Sequence, residues 1–328
     1  MPKVSIILPT YNRSGLLIEA VQSVLDQNFS DFEFIVIDDG STDDTAEKIK
    51  LFIDPRIKYY HKENEGVAIA FNLGLSKAQG KYIGYIDDDD LWPEDYLKKM
   101  VKALEENPKY GLAYSLFKDY YPDGTVEDGF LRNRFISGNM TIRYYKKTPC
   151  LLPSATIFRK SVCENVWRDE KLKYFDDQDY LLRISTKTKF LFVGDTCVKR
   201  RVTPGSLSRG GLSYEALLVF ERFYFHLGGE KLIPRRTAFK KISEHYRGLA
   251  RKHYKEGNRK AAVELFKKAV RFYPYSLKNY RWLLKALLLS RKNDKLPSWQ
   301  MPEPLPPCIT FLRAKSEQTQ SSVPKTNN

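Results

Sequence analysis

Three short, apolar, β-rich runs, Val4–Leu8, Glu33–Asp38 and Tyr82–Ile86, are separated by stretches of helical periodicity, and each gives way at its carboxyl end to polar or acidic residues. Parallel strands need a crossover long enough to hold a helix, whereas antiparallel strands can be joined by two residues. The spacing therefore predicts an α/β fold, a largely parallel sheet with helices on both faces. The helices are expected at about Ser14–Asp26, with Ser14 as cap, at Thr42–Ile53, at Gly66–Ala78, closed by Gly80, and at Pro93–Glu106, with a short strand at Arg56–His61. Open sheets of this kind bind ligands in the crevice at the carboxyl ends of their strands. The residues that follow the three runs are thus where chemistry is to be sought.

The third run ends in Asp87-Asp88-Asp89-Asp90, followed at once by Leu91-Trp92-Pro93. Adjacent carboxylates repel, and four of them where a buried strand surfaces call for a neutralising partner. Carboxylates one residue apart on an extended backbone project toward one face, so Asp87 and Asp89 can reach one hard cation together. A solvated acidic turn with no ligand is the competing reading of this run taken alone. After the second run, Asp38-Asp39-Gly40-Ser41 offers Asp39 as an acceptor for a nucleobase ring N–H and a Gly-Ser turn that brings backbone close to a ligand; a turn with a helix cap explains the same residues without one. Farther on, Tyr174–Arg183 places Asp176, Asp177 and Asp179 at the start of a helix expected from Asp177 to Ser185. Here the helix dipole favours the charged form of Asp177 while its acidic neighbours push its pKa up.

Taken in order, Pro9-Thr10-Tyr11-Asn12-Arg13, Val36–Asp43, Asn64-Glu65-Gly66 with Asn72-Leu73-Gly74, the acidic run, Tyr174–Arg183 and Gly205-Ser206-Leu207-Ser208 resemble the inverting glycosyltransferases of family 2, over roughly residues 3–208. The resemblance implies a GT-A fold and a nucleotide-diphosphate sugar donor, a UDP-sugar foremost. It implies that Pro9, Thr10, Tyr11 and Asp39 hold the nucleotide, that Asp89 binds a divalent metal, Mn²⁺ or Mg²⁺, with Asp87 nearby, and that Asp177 is the catalytic base. Asp88 either joins the nucleotide contacts or, with Asp90, shapes the turn. Two positions depart from the family pattern: Phe71 stands where arginine is common before the asparagine, and Thr203, in Arg201-Val202-Thr203-Pro204, where histidine is common. Arg200, Arg201 or Arg209 are candidates to neutralise the diphosphate instead.

The remaining sequence reads as accessory. Residues 108–175 mix strand candidates such as Gly111–Phe117 with a polar stretch from Tyr121 to Met140 that could hold a mobile loop, and a basic turn is expected around Lys199–Gly211. Helical periodicity then dominates from Ser213 to Leu289. Within it Tyr246, Leu249, Ala250, Gly257, Ala262, Phe266, Ala269 and Pro274 resemble one tetratricopeptide repeat, which cannot bury its own face. The expected organisation is a catalytic domain over 1–210, a basic helical region over 211–290 and a Pro-rich, disordered tail over 291–328. Residues 211–328 hold 24 Lys and Arg against 9 Asp and Glu, an excess equal to the net charge of +15 of the whole chain. That excess suits an anionic membrane surface or a protein partner; no recognition motif accompanies it, and nucleic acid is not expected. The acceptor would be a saccharide, a lipid-linked sugar or a protein. The four cysteines form no C-x-x-C pair and no histidine clusters with them, so neither a disulfide framework nor a zinc site is indicated. With no leader or membrane-length apolar segment, the expected location is cytoplasmic, peripheral on the inner membrane face. The competing class is a binding or scaffold protein with a degenerate GT-A domain and a helical partner-binding module.

Overall fold

The computed structural model describes residues 1–129, 136–147, 151–203, 214–288 and 300–306. In chain order the elements are β1 (Val4–Thr10), α1 (Ser14–Leu25), β2 (Phe32–Asp38), α2 (Thr45–Lys50), β3 (Ile57–His61), α3 (Val67–Lys77), β4 (Tyr82–Tyr85), β5 (Asp90–Leu91), α4 (Tyr96–Glu106), β6 (Tyr110–Tyr120) and β7 (Val126–Asp128). They continue with α5 (Thr141–Lys146), β8 (Thr156–Arg159), α6 (Lys160–Cys163), α7 (Asp176–Ile184), β9 (Lys189–Arg201), α8 (Tyr214–His226), α9 (Gly229–Leu232), α10 (Arg235–Lys255), α11 (Arg259–Phe272) and α12 (Leu277–Leu288). Two compact units result: one contains β1–β9 with α1–α4, α6 and α7, and the other contains α5 together with α8–α12. Thr141–Lys146 thus groups with the helical unit although it lies inside the stretch read as the first domain.

The nine described strands form one sheet in the order β3-β2-β1-β4-β8-β6-β9-β5, with β7 on β6. β3, β2, β1 and β4 are parallel, as the spacing of the apolar runs requires. β8 then enters antiparallel between β4 and β6, so the sheet is mixed beyond its first four strands. Side-chain alternation on β1 sorts the two faces. Val4, Ile6 and Leu8 pack with Leu17, Ala20, Val21 and Val24 of α1 and with Leu97, Met100, Val101 and Leu104 of α4. On the opposite face α3 approaches so closely that a Cβ on Gly74 would lie 2.4 Å from Ile7, which explains a glycine inside that helix.

Several boundaries differ from expectation for identifiable reasons. Ser14 is not a side-chain cap; Arg13 holds the cap position and the Ser14 backbone N–H donates to Asp43 Oδ2 at 3.1 Å. Helix α2 is shorter than Thr42–Ile53 because the N–H groups of Thr42 and Asp43 both donate to Asn12 Oδ1, at 2.7 and 3.3 Å, holding them in a loop. Helix α4 starts at Tyr96, three residues after Pro93. Lys199–Arg201 is not a turn: these residues extend β9 and pair with β6 and β5. From residue 204 onward that expected turn, with the Gly205–Ser208 motif and Arg209, lies outside the described residues, as does most of the Pro-rich tail.

In the helical unit α10 and α11 form an antiparallel hairpin with Leu249, Ala250, Ala262, Phe266 and Ala269 buried between them, the small-large alternation read as repeat-like. A buried polar knot ties α12 on: Asn279 Nδ2 donates to Ser243 Oγ at 2.9 Å and Ala269 O at 3.1 Å, and its Oδ1 accepts from Arg247 at 2.9 Å. His245 on α10 keeps Nδ1 buried with no hydrogen-bond partner, and burial, aided by Lys241, pushes its pKa down to about 3. The folded state holds the imidazole neutral while the unfolded chain takes up a proton below about pH 6.5. This contribution to stability is therefore complete above pH 6.5 and is lost toward pH 3, by on the order of 1 kcal/mol per pH unit. Chemical denaturation from pH 7 to pH 4 should show that slope, and His245→Leu should flatten it.

Candidate active site

β1 bonds to β2 on one side and to β4 on the other, so the chain leaves β1 in opposite directions and opens a crevice at their carboxyl ends. There the loop after β1 meets the acidic run. Thr10 Oγ1 donates to Asp88 Oδ2 at 2.8 Å, and Arg13 Nη1 bridges Asp88 Oδ1 at 3.1 Å and Asp89 Oδ2 at 3.0 Å. Burial pushes Asp88 up to about 6 despite Arg13. Asp89 is raised too, first by burial and then by Asp87, with Arg13 and Arg201 opposing. Asp90 is buried and raised well above the carboxylate range by burial, then by Asp87 and Asp89, and its Oδ1 has no hydrogen-bond partner. The protein neighbours of the turn thus do not fully offset the cost of ionising its carboxyls.

Its backbone is held by groups the sequence reading did not single out. Ser154, fully buried, accepts from Asp87 N and donates to Asp87 Oδ2, both at 3.1 Å, while its carbonyl accepts from Trp92 Nε1 at 2.7 Å. The Tyr85 hydroxyl donates to Asp87 Oδ1. Arg201 donates to the carbonyls of Asp89 at 2.5 Å and Leu16 at 2.8 Å, and Arg200 grips Asp119 through two bonds of 2.6 and 2.7 Å. Of the three arginines considered for a diphosphate, Arg200 and Arg201 are therefore engaged with protein groups. Thr203 Oγ1 stands 3.5 Å from Asp89 Oδ2. No spacing rule marks Ser154 or the bridging role of Arg13; each depends on a tertiary approach from another element.

At the end of β2 the carboxylates have different tasks. Asp38 is fully buried and accepts from the Tyr59 hydroxyl at 2.5 Å and Ser41 N at 2.8 Å, which makes it a builder of the turn. Asp39 takes Lys62 Nζ at 2.6 Å and Glu65 N at 3.1 Å on Oδ1, and Gly66 N at 2.7 Å on Oδ2. An ionised carboxylate has about four acceptor positions, so one remains on Oδ2. Gly40 is required here: its φ is +85°, and a Cβ would lie 2.7 Å from Asn64 N. Pro9 is buried, Tyr11 is exposed, and Asn12 between Tyr11 and Arg13 sits in the left-handed region at φ 52°.

Asp177 lies in the first turn of α7, half-buried, lining a crevice with Phe71, Tyr85, Pro153, Arg168 and Tyr180. Gln178 N and Nε2 donate to its two oxygens at 2.6 and 2.8 Å. Burial raises the carboxyl, with Arg168 and the Gln178 hydrogen bonds opposing and Asp87 adding to the rise. Its neighbour Asp176 is nearly buried, accepts from Arg168 Nη1 at 3.1 Å and is pushed up to about 7 by burial.

Among the described residues no three His, Cys or carboxylate groups converge into a protein-only metal cage. Mg²⁺-type sites need only one or two carboxylates when waters and substrate phosphates complete the shell. The raised Asp89 carboxyl and the unpartnered Asp90 oxygen fit a cation held by Asp89 and Asp87, which would favour the ionised forms.

The family described as Glycosyl transferase family 2 matches residues 5–167, which span the first two loops and the acidic run and stop short of Asp177. An uncharacterised glycosyltransferase of Rickettsia felis is 34% identical over 209 residues, 62% of this chain and 34% of that protein. The chain therefore spans about a third of the length of the first curated relatives it matches. A Bacillus subtilis protein named for teichuronic acid biosynthesis, the glycosyltransferase TuaG, is 38% identical over 40% of this chain and 52% of its own. Among solved structures, S. aureus TarS 1-349 in complex with UDP superposes with a TM-score of 0.61 at 20% identity, covering 83% of this chain and 81% of that one. At that identity the likeness speaks for the fold, which is GT-A.

Proposed function

We propose that this chain, which belongs to glycosyl transferase family 2, moves a sugar from a nucleotide-diphosphate donor, a UDP-sugar, to an acceptor hydroxyl by a single displacement that inverts the anomeric centre. The observation that carries the reading is the crevice shared by Asp177 and Tyr85, because the Tyr85 hydroxyl donates to Asp87 and so joins the α7 carboxylate to the acidic run. Pro9, Thr10, Tyr11, Asp39 and Asp88 would face the nucleotide, and Asp89 with Asp87 would hold a divalent cation. When bound, that cation would supply Lewis-acid stabilisation of the charge on the departing diphosphate. Asp177 accepts the proton of the acceptor hydroxyl as its oxygen bonds to the anomeric carbon and the bond to the diphosphate breaks. The relative named for teichuronic acid synthesis favours a polysaccharide acceptor.

A thermal-shift screen of UDP, GDP, CDP and dTDP with and without Mn²⁺ tests donor and metal together. UDP with Mn²⁺ is expected to raise the midpoint most. Equal responses to all four nucleotides, or none that needs Mn²⁺, would overturn the UDP and metal readings respectively.

Among the described residues no helix is long and apolar enough to cross a membrane. A peripheral location is the companion proposal. Helix α12 carries Lys278, Arg281 and Lys285 with no carboxylate, and Leu277, Leu284 and Leu288 beside them are exposed. An apolar row on a basic helix suits an anionic lipid surface. The protein should float with anionic vesicles at low salt and be released by high salt; absence of flotation at low salt would remove the proposal.

A further inference from the structure

Phe71 stands where the family resemblance leads one to expect an arginine, and the structure places a guanidinium over its ring from elsewhere. Arg168, in the loop before α7, has its Cζ 4.1 Å from the Phe71 centroid and 4.4 Å from that of Tyr85. Asn72, next to Phe71, fixes the backbone that carries it: Arg168 N donates to Asn72 Oδ1 at 2.9 Å, and Asn72 Nδ2 donates to Arg168 O at 3.0 Å. The side chain is only 3% exposed, and a buried cation is costly unless anions surround it. Its anions come from both halves of the site. Nη1 holds Asp176, and burial, which opposes its charge, is outweighed by its neighbours, the carboxylates Asp176, Asp177 and Asp87 among them. Its Nε is buried without a hydrogen-bond partner, and the residue lines the same crevice as Asp177.

We propose that Arg168 is a positioning residue: from the loop before α7 it sets a buried positive charge over the Phe71 ring, paired with Asp176, and so fixes Asp177 against the Asp87 end of the acidic run. The proposal rests on reading Asp177 as the base and adds the group that orients it. Burial keeps Arg168 from the donor, so it acts through the carboxylates. A cation that serves this way should be exchangeable between the two faces of its site. Swapping the two side chains conserves total volume and the number of buried charges.

Arg168→Phe, Phe71→Arg and the double exchange form a double-mutant cycle, read by thermal unfolding, by Mn²⁺-dependent UDP affinity and by UDP release from UDP-GlcNAc. Arg168→Phe should slow UDP release by about 10²-fold, the scale of a misplaced catalytic group, with UDP affinity little changed. The double exchange should recover most of that rate and be more stable than the two single changes predict. A double variant no faster and no more stable than Arg168→Phe overturns the proposal. So does UDP affinity that falls in step with the rate, which would make Arg168 a donor ligand. If the wild type shows no release that depends on Asp177, the functional reading fails, while the stability cycle still decides whether the charge is transferable.

Discussion

Asp177→Asn is expected to lower transfer by about 10²- to 10⁴-fold, the usual contribution of a positioned general base, while leaving fold and donor binding intact. The substitution keeps the shape of the side chain, and the amide oxygen can still accept from Gln178 N, one of the two donors that hold Asp177 in place. What it cannot do is take a proton from the acceptor hydroxyl. The wild type should also reveal this group through pH. Burial raises the Asp177 carboxyl above the ordinary carboxylate range, and only its ionised form can act as a base. The rate should therefore climb with pH through a limb that lies above that range, and should fall on its acid side as the carboxyl protonates. UDP release measured from pH 4 to pH 8, with UDP affinity measured in parallel, checks both statements. A variant that keeps a tenth or more of the wild-type rate would remove Asp177 from the role of base.

The strand-helix alternation was legible because parallel strands force it: Val4–Leu8 and Tyr82–Ile86 are apolar on both faces, and such runs have few other uses. The positions of Asp39 and Asp87–Asp90 followed from where those strands end. What the sequence could not display is pairing at a distance. Ser154 is an ordinary serine until the antiparallel entry of β8 places it beside Asp87. Arg200 and Arg201 read as a basic turn, yet they lie on β9, where strand pairing aims one at Asp119 and the other at the carbonyls of the acidic run. The same limit applies to Phe71. Its departure from the family pattern was visible, but the guanidinium that covers its ring arrives from a loop almost a hundred residues later. Local rules also failed at Ser14, where a carboxylate from the β2–α2 loop supplants the expected side-chain cap.

Asp89→Ala is expected to separate stability from function in the opposite sense to an ordinary core mutation. In the folded protein the Asp89 carboxyl is raised by burial and by Asp87. A carboxyl whose folded pKa exceeds its unfolded value makes its ionised form a liability above both values, so at pH 7 the residue works against the metal-free fold. Its removal leaves Arg13 paired with Asp88 at 3.1 Å and keeps the clamp of Arg201, whose contact is to the backbone of residue 89. The metal-free variant should therefore unfold at the same temperature as the wild type or higher. Ligand binding runs the other way. A ligand at about a hundred times its dissociation constant stabilises a folded protein by about 2.7 kcal/mol, and for UDP with Mn²⁺ that gain should vanish in Asp89→Ala because the cation loses its principal carboxylate. Transfer should be lost with it. Retention of Mn²⁺-dependent stabilisation by UDP in this variant would assign the cation to other residues. A marked drop in metal-free stability would mean instead that Asp89 is a structural partner of Arg13 whose charge the fold needs.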